Sequence, residues 1–204
     1  METETIEFET ADGLTLTADL CVPTNVRAAA IVCHPHPQYG GNRFNPVVEA
    51  LFSALPGAGI AALRFDFRSV FAGGIGERLD AEAALAALRQ RVLDVPTIAT
   101  GYSFGAMVTL ALDDDRIVAK VLVAPPLGHM DTTPGHAVPT LVLSPAHDQF
   151  APPDVAEPVV ATWPLGEFKP IESVDHFLVG RAGLAAALSA DWLEQRLDNA
   201  HPLR

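Results

Sequence analysis

Residues 14–22 alternate as Leu-Thr-Leu-Thr-Ala-Asp-Leu-Cys-Val, and residues 3–9 alternate more weakly. A period of two marks a strand with one buried face. Ala11-Asp12-Gly13 lies between the runs with turn chemistry, so the chain is expected to open as an antiparallel β-hairpin. Residues 28–33 are instead continuously apolar, as a strand buried on both faces should be. From there strand-like and helix-like stretches take turns. Strands are expected at 60–67, 95–100, 117–124, 141–144 and 168–174, and helices at 45–55, 77–92, 106–112, 153–163 and 182–197. Asn45-Pro46 gives the first helix its start, with Val47, Val48, Leu51 and Leu55 on one face. This order predicts an α/β fold: a mostly parallel central sheet, an antiparallel N-terminal hairpin at its edge, and helices on both faces.

The chain has 204 residues and shows no internal repeat, low-complexity tract or linker, so 1–204 is read as one domain. Few residues separate the strands at 117–124 and 141–144, which leaves no room there for a cap domain. No apolar run reaches the roughly 18 residues of a membrane span, and the acidic N-terminus lacks a secretory signal's pattern. A net charge of −12 repels phosphate backbones, so no nucleic-acid partner is expected. Cys21 and Cys33 both fall in apolar strand-like runs and are read as reduced, which fits a cytoplasmic protein. Nothing indicates a homo-oligomer.

The chemistry concentrates in Gly101-Tyr102-Ser103-Phe104-Gly105, which lies between a strand-like run and a helix-compatible one. A serine at such a corner exposes its hydroxyl above the sheet edge at a helix N-terminus, and flanking glycines relieve the crowding. Asp148 follows the strand at 141–144, and His176 follows the strand at 168–174. The chain order Ser103, Asp148, His176 places a nucleophile, an acid and a base on successive strand ends. His201 and His147 are rivals for the base, and Asp175 is a rival acid.

A tetrahedral oxyanion needs two preorganised N–H donors. Phe104, next to the nucleophile, is expected to give one. The loop His34-Pro35-His36-Pro37-Gln38-Tyr39-Gly40-Gly41 should give the other. Pro35 and Pro37 have no N–H, so the donor is His36, Gln38 or Tyr39, with His36 the first choice because it lies two residues past the strand end. His34 and His36 lack a third ligand at local spacing, so no metal site is expected. His34 is expected to be hydrogen-bonded beneath the loop. Tyr39, Tyr102 and Phe150 are the candidate substrate-lining residues. Asp66 and Arg68 end an internal strand and are expected to form a loop-fixing ion pair, with substrate recognition the alternative.

Together with 34–41, the segments 63–68, 123–126 and 175–177 and the Gly-Tyr-Ser-Phe-Gly corner resemble the serine α/β-hydrolase superfamily. The likeness is narrower to its small, capless, dienelactone-hydrolase-like members, and it covers almost the whole chain. It implies an α/β-hydrolase fold without a cap, a Ser–Asp–His triad, a backbone oxyanion hole, and hydrolysis of an acyl bond without a cofactor. Two departures stand out. The dienelactone hydrolases use cysteine where this chain has Ser103. Many relatives continue the Phe-Arg segment with Gly-x-Gly-x-Ser, whereas Arg68 is followed here by Ser69-Val70-Phe71-Ala72-Gly73-Gly74. The expected activity is cleavage of a small or short-chain carboxylic ester, a small-molecule acyl substrate. A thioesterase, peptidase or acyltransferase using the same triad is one alternative, and a non-catalytic binding module is another.

Overall fold

The protein is described by a computed structural model covering residues 1–128, 132–135 and 137–199. The hairpin opens the chain as β1 (Thr3–Glu9) and β2 (Thr15–Cys21), paired antiparallel from Thr3↔Cys21 to Glu9↔Thr15. The remaining strands are β3 (Ala28–Cys33), β4 (Ile60–Phe65), β5 (Thr97–Tyr102), β6 (Ile117–Val123), β7 (Thr140–His147) and β8 (Gly166–Asp175). They form one eight-stranded sheet in the order β1-β2-β4-β3-β5-β6-β7-β8. β2 meets β4 antiparallel, and every pairing from β4 to β8 is parallel. The expected hairpin edge and parallel body are thus both present.

Among the described residues five α-helices cover the sheet: α1 (Pro46–Ala54), α2 (Ile75–Arg91), α3 (Phe104–Ala111), α4 (Pro153–Val160) and α5 (Ala182–Asn199). β3 shows how an all-apolar strand serves both faces. Ala28, Ala30 and Val32 pack with Val48, Leu51 and Leu193 beneath α1 and α5. Ala29, Ile31 and Cys33 pack with Leu85, Leu88 and Val108 beneath α2 and α3. α4 joins α3 on the second face through Met107, Leu110, Ala156 and Val160. Parallel strands need cover on both sides, because each face presents a row of apolar side chains.

Several elements begin or end away from their expected positions. β4 stops at Phe65 rather than residue 67, because the next backbone groups have other partners: the Phe67 N–H donates to His34 Nε2 at 2.9 Å. α2 begins at Ile75, two residues early, after Gly74 turns the chain at φ 88° and Glu77 accepts the Gly74 N–H at 2.8 Å. β7 and β8 run longer than expected, and Pro170 is tolerated because β8 is an edge strand. Cys21 and Cys33 are free and buried, on strands separated by β4. Among the described residues no helix is long and apolar enough to cross a membrane.

Asp66 and Arg68 do not pair with each other, contrary to expectation. Asp66 receives the backbone N–H of Arg43 at 2.9 Å and its guanidinium. Arg68 donates to buried Asp80, at 2.7 Å from Nη2, and to Asp12 at 2.9 Å. Both partners come from distant segments that converge at the carboxyl end of β4. The loop is held by two separate ion clusters instead of one short-range pair.

Candidate active site

β5 leads directly into α3 at Ser103, whose backbone is forced to φ 54° and ψ −121°. This left-handed corner is costly for a residue with a Cβ and persists only because its surroundings hold it. The Ser103 N–H donates to the Val123 carbonyl at 2.9 Å, which ties the corner to β6. Both flanking glycines are needed for close approach. A Cβ on Gly101 would fall on the Gly105 carbonyl, and one on Gly105 would fall on the carbonyls of Cys33 and His34. Gly105 thereby lets α3 abut the end of β3, bringing the loop that follows β3 beside Ser103.

Ser103 Oγ lies 2.8 Å from His176 Nε2, and His176 Nδ1 lies 2.8 Å from Asp148 Oδ2. Asp148 is buried, and its other oxygen accepts the N–H groups of Phe150 at 2.8 Å and Ala151 at 3.2 Å. A carboxylate held this way keeps the imidazole proton on Nδ1, leaving Nε2 free to accept from the serine hydroxyl. Tyr102 donates its hydroxyl to the His176 carbonyl at 2.9 Å, and burial pushes its own pKa up. Rings of Phe150, Phe177 and Tyr102 surround the imidazole at 4.6, 5.8 and 5.7 Å between centroids. His147 is exposed at the end of β7. Asp175 is also exposed, and its Oδ1 accepts the Phe177 N–H at 3.1 Å. Neither rival enters this chain of hydrogen bonds, and His201 lies outside the described residues.

The loop after β3 folds into a 3-10 turn over Pro37–Tyr39. Its donors are largely used: Gln38 N–H goes to His36 Nδ1 at 3.2 Å, and Tyr39 and Gly41 N–H go to the His36 carbonyl at 3.1 Å each. Among the described residues the backbone N–H groups of His36 and Phe104 have no acceptor. Gly41 has room only as glycine, since a Cβ there would strike the Pro35 carbonyl. His34 sits below as expected, buried. Its Nδ1 lies 2.6 Å from the Pro35 carbonyl, and its Nε2 accepts from Phe67 N. That pattern requires the neutral Nδ1–H tautomer, and burial lowers its pKa accordingly. The His36 ring contacts Tyr39, Phe71 and Phe104 at centroid distances of 5.0, 4.4 and 4.8 Å, and burial lowers its pKa too.

A crevice of about 460 Å³ opens above Ser103 and His176. Tyr39, Tyr102 and Phe150 line it, together with Asn45 and Phe177. Sequence reasoning placed Asn45 only as a helix start and Phe177 only in the 175–177 motif, neither as a lining residue. Phe71 was also missed as the ring behind His36 and Phe104, although its place in the divergent loop after Arg68 was a usable signal. No group of three or more potential metal-ligating side chains occurs among the described residues.

No protein-family model matches the chain. Over 90 residues the chain is 40% identical to an uncharacterised protein of Rickettsia prowazekii, a stretch covering 41% of this chain and 38% of that protein. The match therefore spans less than half the length of that curated relative. Similarity to solved structures runs over nearly the whole chain. An α/β serine hydrolase homologue from Coxiella burnetii superposes with a TM-score of 0.84 at 27% identity, covering 95% of this chain and 98% of the other. An α/β serine hydrolase without a lid, from Xanthomonas campestris, gives 0.82 at 25% identity, covering 100% and 97%. An esterase from Pyrococcus furiosus gives 0.80 at 15% identity over 95% and 92%, a likeness of fold alone. The chain is a small, capless α/β hydrolase in fold, and its neighbours support a hydrolase function.

Proposed function

We propose that this protein is a serine hydrolase that cleaves small or short-chain carboxylic esters through an acyl-enzyme on Ser103. The observation that carries this reading is the unbroken series from Ser103 Oγ to His176 Nε2 and from His176 Nδ1 to Asp148 Oδ2, both at 2.8 Å. Ser103 Oγ attacks the carbonyl carbon while its proton passes to His176 Nε2. The carbonyl π electrons move onto oxygen, and the N–H groups of His36 and Phe104 receive the oxyanion. As the tetrahedral intermediate collapses, the C–O bond to the alcohol breaks and His176 returns the proton to the leaving oxygen. Water then repeats the sequence against the acyl-enzyme, giving the carboxylic acid and restoring Ser103. Asp148 holds the imidazole and stabilises its charged form.

The missing cap supports small substrates, since an open crevice lacks a shaped roof for a long chain. The motifs at 34–41, 63–68, 123–126 and 175–177, together with Ser103, support a place among dienelactone-hydrolase-like enzymes with a serine nucleophile. Both cysteines are free and buried, which supports a cytoplasmic protein. A fluorophosphonate probe tests the reading directly. Covalent modification at Ser103, abolished in Ser103→Ala and absent after unfolding, is the expected result. An unlabelled, folded parent protein would refute it.

A further inference from the structure

Asn45 caps α1 and faces the crevice at the same time. Its Oδ1 accepts the Val47 N–H at 3.0 Å, which identifies the oxygen and holds the side chain in one orientation. The amide nitrogen Nδ2 therefore presents two N–H donors from a fixed position on the wall of the cavity that contains Ser103. Among the described residues Nδ2 has no acceptor. The other polar side chains of that wall are engaged. The Tyr102 hydroxyl goes to the His176 carbonyl, His36 Nδ1 takes the Gln38 N–H, and His176 is held between Ser103 and Asp148. Tyr39, 88% exposed, is an exception, and the His36 Nε2–H is a second donor without an acceptor among the described residues.

The rest of the described lining carries no lysine, arginine, aspartate or glutamate. Tyr39, Phe150 and Phe177 supply apolar surface. An anionic substrate would meet no cation in this wall and would approach a protein of net charge −12. A neutral substrate with one additional oxygen would bury its carbon atoms on the rings and direct the oxygen at Asn45.

We propose that Asn45 is a specificity-determining residue. It donates a hydrogen bond to a second acceptor oxygen, a ketone, ether or hydroxyl, of a neutral ester whose scissile carbonyl lies at Ser103. This rests on the hydrolase reading and names its substrate class. Because the cap already immobilises the amide, little rotamer freedom is lost when the bond to substrate forms. In the free enzyme the donor stays hydrated, so the gain is that of an ordinary net hydrogen bond, about tenfold in kcat/KM.

The test compares p-nitrophenyl pentanoate with p-nitrophenyl 4-oxopentanoate, which share charge, leaving group and length, in the parent protein and in Asn45→Ser. Serine is an equally good N-cap, so α1 keeps its start while the Nδ2 donor disappears. The quantity read is the ratio of kcat/KM for the keto ester to that for the plain ester. It is taken within one preparation, so any unfolded fraction cancels. The ratio is expected to drop about tenfold in Asn45→Ser. A third ester ending in a carboxylate at the same position is expected to be the poorest substrate of the parent. An unchanged ratio in the variant, or a parent that favours the carboxylate ester, overturns the proposal. A parent that hydrolyses none of the esters and resists the fluorophosphonate probe overturns the hydrolase reading itself, a distinguishable result.

Discussion

Two regions meet at the carboxyl end of the sheet, and they treat polar groups in opposite ways. Around the end of β4 the charged side chains of Arg43, Arg64 and Arg68 are paired. Arg68 reaches buried Asp80 and also Asp12, which holds its guanidinium firmly charged. Asp19 accepts from Arg43 at 3.2 Å and from Arg64 at 3.0 Å, and the Arg64 guanidinium lies over the rings of Phe44 and Phe52 at 4.9 and 4.5 Å. Glu77, fully buried, takes the N–H groups of Ala72 and Gly74 at 2.8 Å each. His36 and Asn45 line the crevice next to it, and among the described residues the His36 N–H, the Asn45 Nδ2 and the nearby Phe104 N–H have no acceptor. Groups that saturate one another hold backbone in place, whereas groups left open near a reactive hydroxyl are where a substrate's oxygens substitute for water. Phe71 connects the regions. The matched loop carries it, and its ring lies 4.4 Å from His36 and 5.7 Å from Phe104.

The contrast breaks most severely at Ser103. Replacing it with alanine is expected to lower kcat on a p-nitrophenyl ester by about 10³-fold or more, with only a small shift in the thermal midpoint. Among the described residues the hydroxyl bonds only His176, and the positive φ is common to serine and alanine at this corner. A variant as fast as its parent would refute the assignment. The matched region should show the inverse pattern. Asp80→Ala leaves Arg68 half-partnered in a largely buried position, and breaking such a pair costs about 3 kcal/mol. In a chain of this size that corresponds to a fall of about 6–12 °C in thermal midpoint. Urea unfolding measures it, and kcat of the remaining folded enzyme is expected to change far less than in Ser103→Ala. Equal losses of activity in the two variants would show that the regions are not separable.

Much of this was legible in the sequence because it is local. The Gly-Tyr-Ser-Phe-Gly corner and the all-apolar strand at 28–33 each follow from neighbours within a few residues. The choice of His36 as a candidate donor was local as well, since Pro35 and Pro37 have no N–H and Gln38 and Tyr39 were the remaining alternatives. What stayed hidden depends on register between distant segments. Arg68 and Asp12 are brought together by β4 lying beside β2, and nothing near Arg68 in sequence points to residue 12. Lys120 is completely buried in β6, where its amine donates to the Leu110 and Leu112 carbonyls at 2.9 and 2.7 Å and burial lowers its pKa to about 8. The lysine is visible in an apolar run, but its partners are carbonyls at the end of α3, which only packing can supply. Asn45 reads locally as a cap, and its second face appears only when β3's loop closes over it.

The smallest effect concerns how the two regions respond to acid. His36 Nδ1 caps the 3-10 turn after β3 by accepting the Gln38 N–H, and His34 Nε2 accepts the Phe67 N–H. Protonation of either ring converts that acceptor into a donor and breaks the bond. Burial lowers both pKa values below the usual 6.5, with Glu77 opposing the shift at His36, and Asp66 and Asp80 opposing it at His34. The folded protein then binds fewer protons than the unfolded chain, so stability is full above pH 6.5 and declines as pH falls through that value toward the folded pKa. His36→Asn retains a cap acceptor and removes one titrating ring, although it also removes the stack on Phe71 and Phe104. Its unfolding free energy at pH 7.5 is expected to fall by about 1 kcal/mol, and its decline between pH 7 and pH 5 should be shallower than the parent's, with His34 accounting for what remains. Parallel declines in parent and variant would mean that the His36 ring does not carry acid sensitivity into the open side of the crevice, and that the loop's turn is held by its backbone bonds alone.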